Sequence, residues 1–342
     1  MQPTQIPRFC SEAPPASSPH AAYAEEQTRN WAVQYGIVGD EELFSRMRYG
    51  NCASYAYPRS AAEILALCAQ WIAWGFLTDD QHTRVLGLDA RAWSQAMSQL
   101  RPVLSQGRAP EAAAGGDEGM SAGLVQATAD LCDRTRTVMS PQQWERFCRN
   151  VERYLEGMCQ ECSLLAEPHL TVEQYSAVRR LSVGIDFYAV LVELEESVDL
   201  PAEVYVTEVW RNAVDAIVMV FALGNDLVSH PAEAASGEIN NLVLVAGRQF
   251  GLSTAQAVDY ALQRLAVTMD AFRDAERRLP GELAAAGVDP GHITAARQCA
   301  MSLPHMTDGF LTWCEETYRY QYHLDCAQGR AHERHDNLLA SS

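Results

Sequence analysis

The sequence predicts an all-α fold, a helical bundle that forms one large domain or two ordinary ones. From about Ala22 onward, apolar residues recur at three- and four-residue spacing, which is the period of one helix face. Stretches that alternate apolar and polar residues are few, and so are strong hairpin signals. At 342 residues, the chain is long enough to bury a sizeable helical core.

The individual helices follow from where this spacing starts and stops. Long helices are predicted over 58–78, 122–137, 141–165, 200–230, 253–278 and 291–325. Residues 105–123 are rich in Gly, Ala, Pro and acids without periodicity, so they predict a mobile loop, and a second break surrounds Pro290. Residues 1–20 are predicted to be a disordered lead-in and 326–342 a flexible tail, which leaves 21–325 as the domain.

The charge balance limits the classes of partner. The chain has 26 Lys plus Arg against 44 Asp plus Glu, a net charge of −18, and it contains no lysine. Such an acidic protein is not expected to bind nucleic acid. Any phosphate-binding cation must therefore be an arginine, whose planar fork binds phosphate oxygens two at a time, or a bound metal.

Neither a targeting nor a membrane-spanning segment is predicted. The first twenty residues lack the basic start and apolar run of a secretion signal. The most apolar run, Ala213 to Leu223, is too short to cross a bilayer and contains Asp215. We therefore expect a cytoplasmic protein without stable membrane insertion.

Two adjacent aspartates form a first candidate metal site. Residues 71–78 are almost wholly apolar, and Asp79 and Asp80 come directly after them. A buried helix would carry both carboxylates to the rim of the core, where charge is costly unless it is paired or binds a cation. Magnesium prefers one or two carboxylates together with phosphates and water. An exposed helix end or a cap for the next turn is the alternative interpretation.

A second candidate metal site lies within residues 225–233. Asn225, Ser229 and Glu233 are spaced by four residues, so on a helix they share one face, with the outer two about 12 Å apart along the axis. Pro231 offers a bend that would bring the side chains together. Amide, hydroxyl and carboxylate oxygens suit magnesium rather than zinc. The alternative is a polar helix end with Pro231 as its terminator.

Four segments together resemble one known family. Residues 225–233, NDLVSHPAE, have the form NDxxSxxxE and resemble the second metal-binding motif of bacterial class I terpene synthases. The aspartate pair stands where that family has its aspartate-rich motif. Residues 179–184, RRLSVG, resemble its diphosphate-sensor segment, and residues 313–320, WCEETYRY, resemble its WxxxxxRY signature. The resemblance implies a single-domain helical bundle around a central active-site cavity.

The resemblance also implies a reaction and a metal. It predicts a magnesium-dependent terpene cyclase that ionises farnesyl or geranylgeranyl diphosphate and cyclises the carbocation, with three Mg²⁺ ions bound. The implied ligands are Asp79, Asp80, Asn225, Ser229 and Glu233. The family's usual third acid in the first motif is missing here. Asp79 is therefore expected to be the essential ligand, and Asp80 to orient an arginine or a metal-bound water.

Further site residues come from the other two segments. By resemblance, Arg180 senses the diphosphate, with the adjacent Arg179 as the runner-up, while Arg319 and Tyr320 close over it. Gly184 is expected to break its helix and to present a carbonyl to the cation. For each arginine taken alone, solvation or an ion pair at the surface is the alternative.

Aromatic residues are expected to wall the cavity, because their faces stabilise positive charge. Phe76, Trp313 and Phe187 are the candidates, with plain core packing as the alternative for each. Gly75 lies one helical turn before the aspartate pair. We hypothesise that its lack of a side chain deepens the cavity enough for a twenty-carbon substrate.

Two rival interpretations stay open. A chain-elongating prenyltransferase, or isoprenyl diphosphate synthase, shares the helical fold and the metal chemistry, but that class uses two aspartate-rich motifs and lysines. A noncatalytic helical binding protein on the same fold would explain the missing third acid. The small-molecule partner under the main interpretation is the allylic diphosphate, and a homodimer is compatible with it.

Overall fold

The computed structural model describes residues 5–9, 16–85, 89–106, 121–165 and 169–329. Within these ranges all regular structure is helical, which confirms the predicted fold class. The helices are α1 Ala21–Gln34, α2 Glu41–Met47, α3 Tyr49–Ala56, α4 Ala62–Asp80, α5 Ala90–Gln106, α6 Ala122–Val138, α7 Pro141–Leu165, α8 Val172–Ser182, α9 Ile185–Glu196, α10 Ala202–Tyr205, α11 Glu208–Ser236, α12 Leu242–Phe250, α13 Thr254–Ala285, α14 Pro290–Glu316 and α15 Arg319–Ala327. A π-helical turn, Gln81–Val85, continues α4.

Helix α4 is buried because it is apolar around most of its circumference. Its two tryptophans, Trp71 and Trp74, are fully buried. Their indole N–H groups donate to the hydroxyls of Thr135 and Thr128 on α6, each at 2.8 Å. These bonds satisfy the polar edges of both rings, so the two indoles are buried with their N–H groups paired. The C-terminal end of α4 thereby reaches the core rim with its two aspartates.

Helix α11 is the other central element, and it packs against α8, α9, α12, α13, α14 and α15. It is long and apolar enough to cross a membrane by length and composition, with a mean hydropathy of 1.3 in its most apolar window. In this window 61% of the residues are buried inside the bundle, as in the core helix of a globular protein. Pro231 does not end α11, which continues to Ser236. The Leu227 carbonyl, which Pro231 cannot bond, lies 3.0 Å from Nδ1 of His230.

Tertiary contacts divide the predicted helix 291–325 into α14 and α15. Thr317 adopts an extended backbone, with φ −77° and ψ 147°, and its hydroxyl donates to the Met47 carbonyl at 2.9 Å. The backbone N–H of Arg319 then donates to Oγ1 of Thr317 at 3.1 Å. No Gly or Pro marks this break in the sequence. It places Arg319 and Tyr320 in the first turn of a new helix.

The other predicted boundaries differ less. The helices predicted at 122–137 and 141–165 correspond to α6 and α7, and the segment 200–230 divides into α10 and α11. Most of the loop predicted at 105–123 lies outside the described residues, as does the predicted tail from residue 330. Helix α15 extends to Ala327, two residues past the predicted domain boundary.

The prediction of a disordered lead-in is wrong for residues 5–9. Nη1 of Arg8 donates to the Thr312 hydroxyl at 2.6 Å, and the Phe9 N–H donates to Asp308 at 2.9 Å. The Phe9 ring meets Phe272 edge to face, with 5.2 Å between centroids. Because these contacts pair both polar and apolar groups, this segment is tied to α13 and α14.

Candidate active site

Two connected hollows lie between α4, α8, α9 and α11. The first, the apolar cavity, has about 780 Å³ of atom-free space and a largely aromatic wall. The second, the polar mouth, is lined by charged and amide side chains from α4, α7, α8, α11 and α15. Phe76, Asp79, Arg179 and Asn225 line both hollows. The apolar cavity therefore opens into the polar mouth at the end of α4.

The two aspartates of α4 have different surroundings. The Asp79 side chain is 51% exposed and borders the mouth, whereas Asp80 is 4% exposed. Both oxygens of Asp80 accept from the Arg319 guanidinium, at 2.8 and 2.9 Å. Because this fork occupies Asp80, the structure favours its predicted role of orienting an arginine over that of a metal ligand. Thr83, at the position of the missing acid, donates its hydroxyl to the Asp79 carbonyl at 2.9 Å.

The Asp79 carboxyl borders open space, yet its pKa is raised. Its dense surroundings raise the pKa of Asp79 to about 6, and the Arg319 guanidinium, 3.7 Å away, partly offsets this rise. A cation beside a carboxyl group with a raised pKa stabilises the charged form of that group. Asp79 is therefore the residue of the first motif that remains available to a metal.

Asn225, Ser229 and Glu233 all line the polar mouth from one face of α11. Oδ1 of Asn225 accepts from Nη2 of Arg179 at 2.6 Å, and the Ser229 hydroxyl donates to the Asn225 carbonyl at 2.9 Å. Burial, with Asp226 as a like charge, raises the pKa of Glu233 to about 8. The structure thus brings the two predicted metal motifs to opposite sides of one opening.

The structure corrects the choice between the two adjacent arginines. Arg180 lines neither hollow, because its guanidinium is bonded to Asp186 and Asp215. Arg179 lines both hollows and lies 3.2 Å from Asp226. Successive residues on a helix point 100° apart, so only one of the two can face the cavity. That residue is Arg179, the runner-up in the sequence.

Asp226 holds this arginine in place from within the core. It is 1% exposed and accepts from the Tyr175 hydroxyl at 2.6 Å and from the Leu242 N–H at 2.9 Å. Because Oδ2 of Asp226 accepts from both α8 and α12 while Oδ1 lies 3.2 Å from Arg179, Asp226 is a fixed countercharge for Arg179. The motif residue next to Asn225 thus has a structural role that the sequence did not indicate.

Gly184 lies at the predicted helix break, between α8 and α9. Its φ of +74° is in the left-handed region that favours glycine, and it borders the apolar cavity. A Cβ at this position would lie 2.8 Å from the Tyr154 ring. Both the backbone conformation and the close ring therefore require glycine here.

Phe76 and Trp313 occupy different layers. Phe76 lines both hollows, and the Arg319 guanidinium carbon lies 4.5 Å from its ring centroid. Trp313 is fully buried behind Phe76, with 5.1 Å between ring centroids, and its N–H donates to the Met47 carbonyl at 2.7 Å. The expectation that Trp313 walls the cavity is wrong, because Phe76 separates it from the open space. Phe187 lines the cavity as expected.

Gly75 borders the apolar cavity, but the space that its Cβ would occupy is already filled. A Cβ on Gly75 would lie 2.2 Å from the hydroxyl oxygen of Tyr188, which fills that space. The Tyr188 hydroxyl donates to the Trp71 carbonyl at 2.9 Å, and its ring is part of the cavity wall. The missing side chain makes room for a tyrosine, so the structure gives Gly75 a packing role and no support for a site enlarged for twenty carbons.

The adjacent residues Arg319 and Tyr320 join the two metal motifs. Arg319 donates a hydrogen bond to Asp80 at the end of α4, while the Tyr320 hydroxyl accepts from Nδ2 of Asn225 on α11 at 3.0 Å. Arg319 is 2% exposed and fully enclosed by these partners. Because both residues start α15, a movement of this helix would act on both sides of the mouth.

One acid at the mouth was missed in the sequence. Glu161 on α7 is 7% exposed and lines the polar mouth with Asp79 and Arg179. Burial raises the pKa of Glu161 to about 7, and Arg179 partly offsets this. Nothing in the sequence distinguishes it from the other acids of the amphipathic helix α7. Within the described ranges, no group of three or more His, Cys, Asp or Glu side chains forms a metal site alone.

An all-helical bundle whose polar mouth carries two oxygen-rich motifs defines a metal-binding enzyme of the terpenoid synthase class. The family model described as terpene synthase family 2, C-terminal metal binding, matches residues 70–271. The chain belongs to this family. It is a class I terpene synthase, which is a terpene cyclase and a carbon–oxygen lyase, and the family assignment excludes the chain-elongating rival.

Individual relatives agree with this assignment. The chain is 31% identical over 254 residues to a (+)-T-muurolol synthase of Roseiflexus castenholzii that cyclises (2E,6E)-farnesyl diphosphate, covering 72% of this chain and 74% of the relative. It is 29% identical over 317 residues to a (−)-δ-cadinene synthase of Streptomyces clavuligerus, covering 89% and 92%. A solved structure of wild-type cucumene synthase matches with a TM-score of 0.77 at 26% identity, covering 90% of this chain and 100% of that one.

Proposed function

We propose that this chain converts farnesyl diphosphate into a cyclic sesquiterpene in the cytoplasm, with Mg²⁺ as its metal. One observation carries the proposal: oxygen ligands from α4 and α11 meet two arginines at a polar mouth that continues into an aromatic cavity. A substrate with a diphosphate head and a hydrocarbon tail would place the head in the polar mouth and the tail in the apolar cavity. The fifteen-carbon length is supported by the farnesyl-cyclising relative and by the cavity wall at Tyr188.

The donor set fits magnesium. Asp79, Asn225, Ser229 and Glu233 would hold it, and all four offer oxygen rather than nitrogen or sulfur. The raised pKa values of the carboxyls at 79 and 233 reflect unfavourable negative charge at the mouth, which a divalent cation would stabilise. We expect three ions, as the resemblance implies, with substrate phosphates completing their shells. When bound, they supply Lewis-acid stabilisation of the leaving diphosphate.

The arginines complete the anion site. Arg179 would contact the diphosphate in the role first expected of Arg180, since it lies at the mouth beside Asn225. Arg319 would add a second positively charged side chain, which its two hydrogen bonds to Asp80 hold in position. Fixed charges in a poorly hydrated site stabilise developing negative charge without reorganisation. Tyr320 would close the mouth from the same helix as Arg319.

The apolar cavity would guide the cation. Phe76 and Phe187 present aromatic faces, which stabilise a desolvated cation by about 1–2 kcal/mol each. The carbonyl of Gly184 would supply a partial negative charge at the helix break, where the left-handed backbone interrupts α8 and α9. The aromatic and aliphatic faces of this wall would limit the water that reaches the cation.

The test is incubation of purified protein with Mg²⁺ and, separately, geranyl, farnesyl and geranylgeranyl diphosphate. We expect diphosphate release and a sesquiterpene from farnesyl diphosphate, detected by gas chromatography with mass spectrometry. Excess EDTA should abolish both, and added Mg²⁺ should restore them. Absence of diphosphate release with every substrate would instead support the noncatalytic binding protein.

The adjacent arginines provide a matched pair of variants. Arg179→Gln should lower kcat by about 10²–10³-fold, the usual cost of removing one donor from a charge-stabilising site. Arg180→Gln changes the same side chain at the neighbouring position outside both hollows, so it should stay within about tenfold of wild type. Equal losses in the two variants would contradict the assignment of Arg179.

A further inference from the structure

Asn241 lies directly beneath the ligand face of α11. It is fully buried and stands immediately before α12, whose first turn it caps: Oδ1 accepts from the Val243 N–H at 2.8 Å. Its other end, Nδ2, lies 2.8 Å from the Asp226 carbonyl, 3.3 Å from Oγ of Ser229 and 2.8 Å from Oε2 of Glu233. One amide therefore reaches two of the three ligand positions on α11.

These contacts restrict the rotation of the Ser229 and Glu233 side chains. The Ser229 hydroxyl hydrogen is already directed to the Asn225 carbonyl, so an N–H from Asn241 meets an oxygen lone pair. The bond to Oε2 of Glu233 fixes one carboxylate oxygen and leaves the second for a cation. Side chains that would otherwise rotate are thus held on one face of the helix.

We propose that Asn241 is a positioning residue that holds Ser229 and Glu233 in the arrangement a divalent cation requires. This inference rests on the proposed function. Groups that orient metal ligands typically contribute about 10–100-fold to metal affinity or activity, because they remove the freedom the ligands would lose on binding. Oδ1 of Asn241 serves the fold by capping α12, whereas Nδ2 contacts the two predicted ligands as well as the Asp226 carbonyl.

Two substitutions distinguish the capping role of Oδ1 from the positioning role of Nδ2. Asn241→Asp keeps the oxygen that caps α12, since Asp caps as well as Asn, but it replaces the donor with an oxygen facing three acceptors. Asn241→Ser also keeps a good capping residue and removes the amide donor altogether. Ser253→Ala is the matched control, because it deletes the cap of the neighbouring helix α13 far from the ligand face.

The primary measurement is Mn²⁺ binding in the presence of inorganic diphosphate, followed by the electron paramagnetic resonance signal of free Mn²⁺. We expect both Asn241 variants to bind Mn²⁺ about 10–100-fold more weakly than wild type. Ser253→Ala should bind as wild type does, although it unfolds at a lower temperature. In turnover, the Mg²⁺ concentration for half-maximal rate should rise by a similar factor, with a smaller change in kcat at saturating Mg²⁺.

The outcomes are distinct. Wild-type Mn²⁺ affinity in folded Asn241→Ser would overturn the proposal, and so would loss of helicity in that variant, because the amide would then serve the fold alone. Failure of the wild-type protein itself to bind Mn²⁺ with diphosphate would instead overturn the proposed function. Weakened binding in Asn241→Ser with intact helicity supports the positioning role.

Discussion

The contact between Gly75 and Tyr188 allows a quantitative test of the packing around the apolar cavity. In Gly75→Ala, the new Cβ would lie 2.2 Å from the Tyr188 hydroxyl oxygen and 3.4 Å from ring atom Cζ. The first distance is far inside van der Waals contact, whereas the second is ordinary. The tyrosine must therefore move, and its 2.9 Å hydrogen bond to the Trp71 carbonyl must break.

The magnitude follows from three terms. Overpacking costs about 1–3 kcal/mol, and loss of the hydrogen bond costs about 1 kcal/mol. Replacing Gly with Ala inside α4 stabilises the fold by about 1 kcal/mol, because Ala has the higher helix propensity. Gly75→Ala should thus lower the free energy of unfolding by about 1–3 kcal/mol. In a Tyr188→Phe background the clashing oxygen is absent, so the same change should be neutral or stabilising.

The assay is a double-mutant cycle on the wild type, the two single variants and the double variant. Urea unfolding followed by circular dichroism gives the four free energies of unfolding. We expect a coupling energy of about 2–3 kcal/mol between the two positions. Additivity within about 0.5 kcal/mol would refute the reasoning, because it would mean that the hydroxyl does not occupy the space beside Gly75.

Two further predictions concern buried charges. Burial raises the pKa of Glu195 from 4.5 to about 7, so its contribution to stability is present below pH 4.5 and lost as the pH rises through about 7. Melting temperatures of Glu195→Gln should therefore fall less than those of wild type between pH 5 and 8. Hydrogen bonds lower the pKa of the neighbouring Glu196, so Glu196→Gln is the control that should keep the wild-type slope in this range. If the melting temperature of Glu195→Gln fell with pH as steeply as that of wild type, the raised pKa of Glu195 would be contradicted. Arg319→Lys loses the fork to Asp80 and should lower kcat/KM by about 10²-fold with unchanged helicity, whereas a loss under twofold would show that a point charge suffices.

The sequence by itself determined the helical class and the shared face of the three predicted ligands on α11. Spacing of four residues places Asn225, Ser229 and Glu233 on one side of any helix, whatever the helix packs against. The same local logic placed the aspartate pair at the end of an apolar helix, and the family resemblance indicated a glycine at the break before α9. These features depend on backbone geometry within a few residues, so no tertiary information is needed to find them.

Only the tertiary structure decided which neighbouring side chain faces the site. Arg179 and Arg180 are equivalent by composition, and their roles depend on how α8 is rotated about its axis against α7 and α11. The break at Thr317 depends on a carbonyl from α2 that lies 270 positions away in the chain. Glu161 lines the mouth, and Asn241 contacts Ser229 and Glu233, because α7 and α12 pack there. Long-range packing of this kind leaves no periodic trace in the sequence.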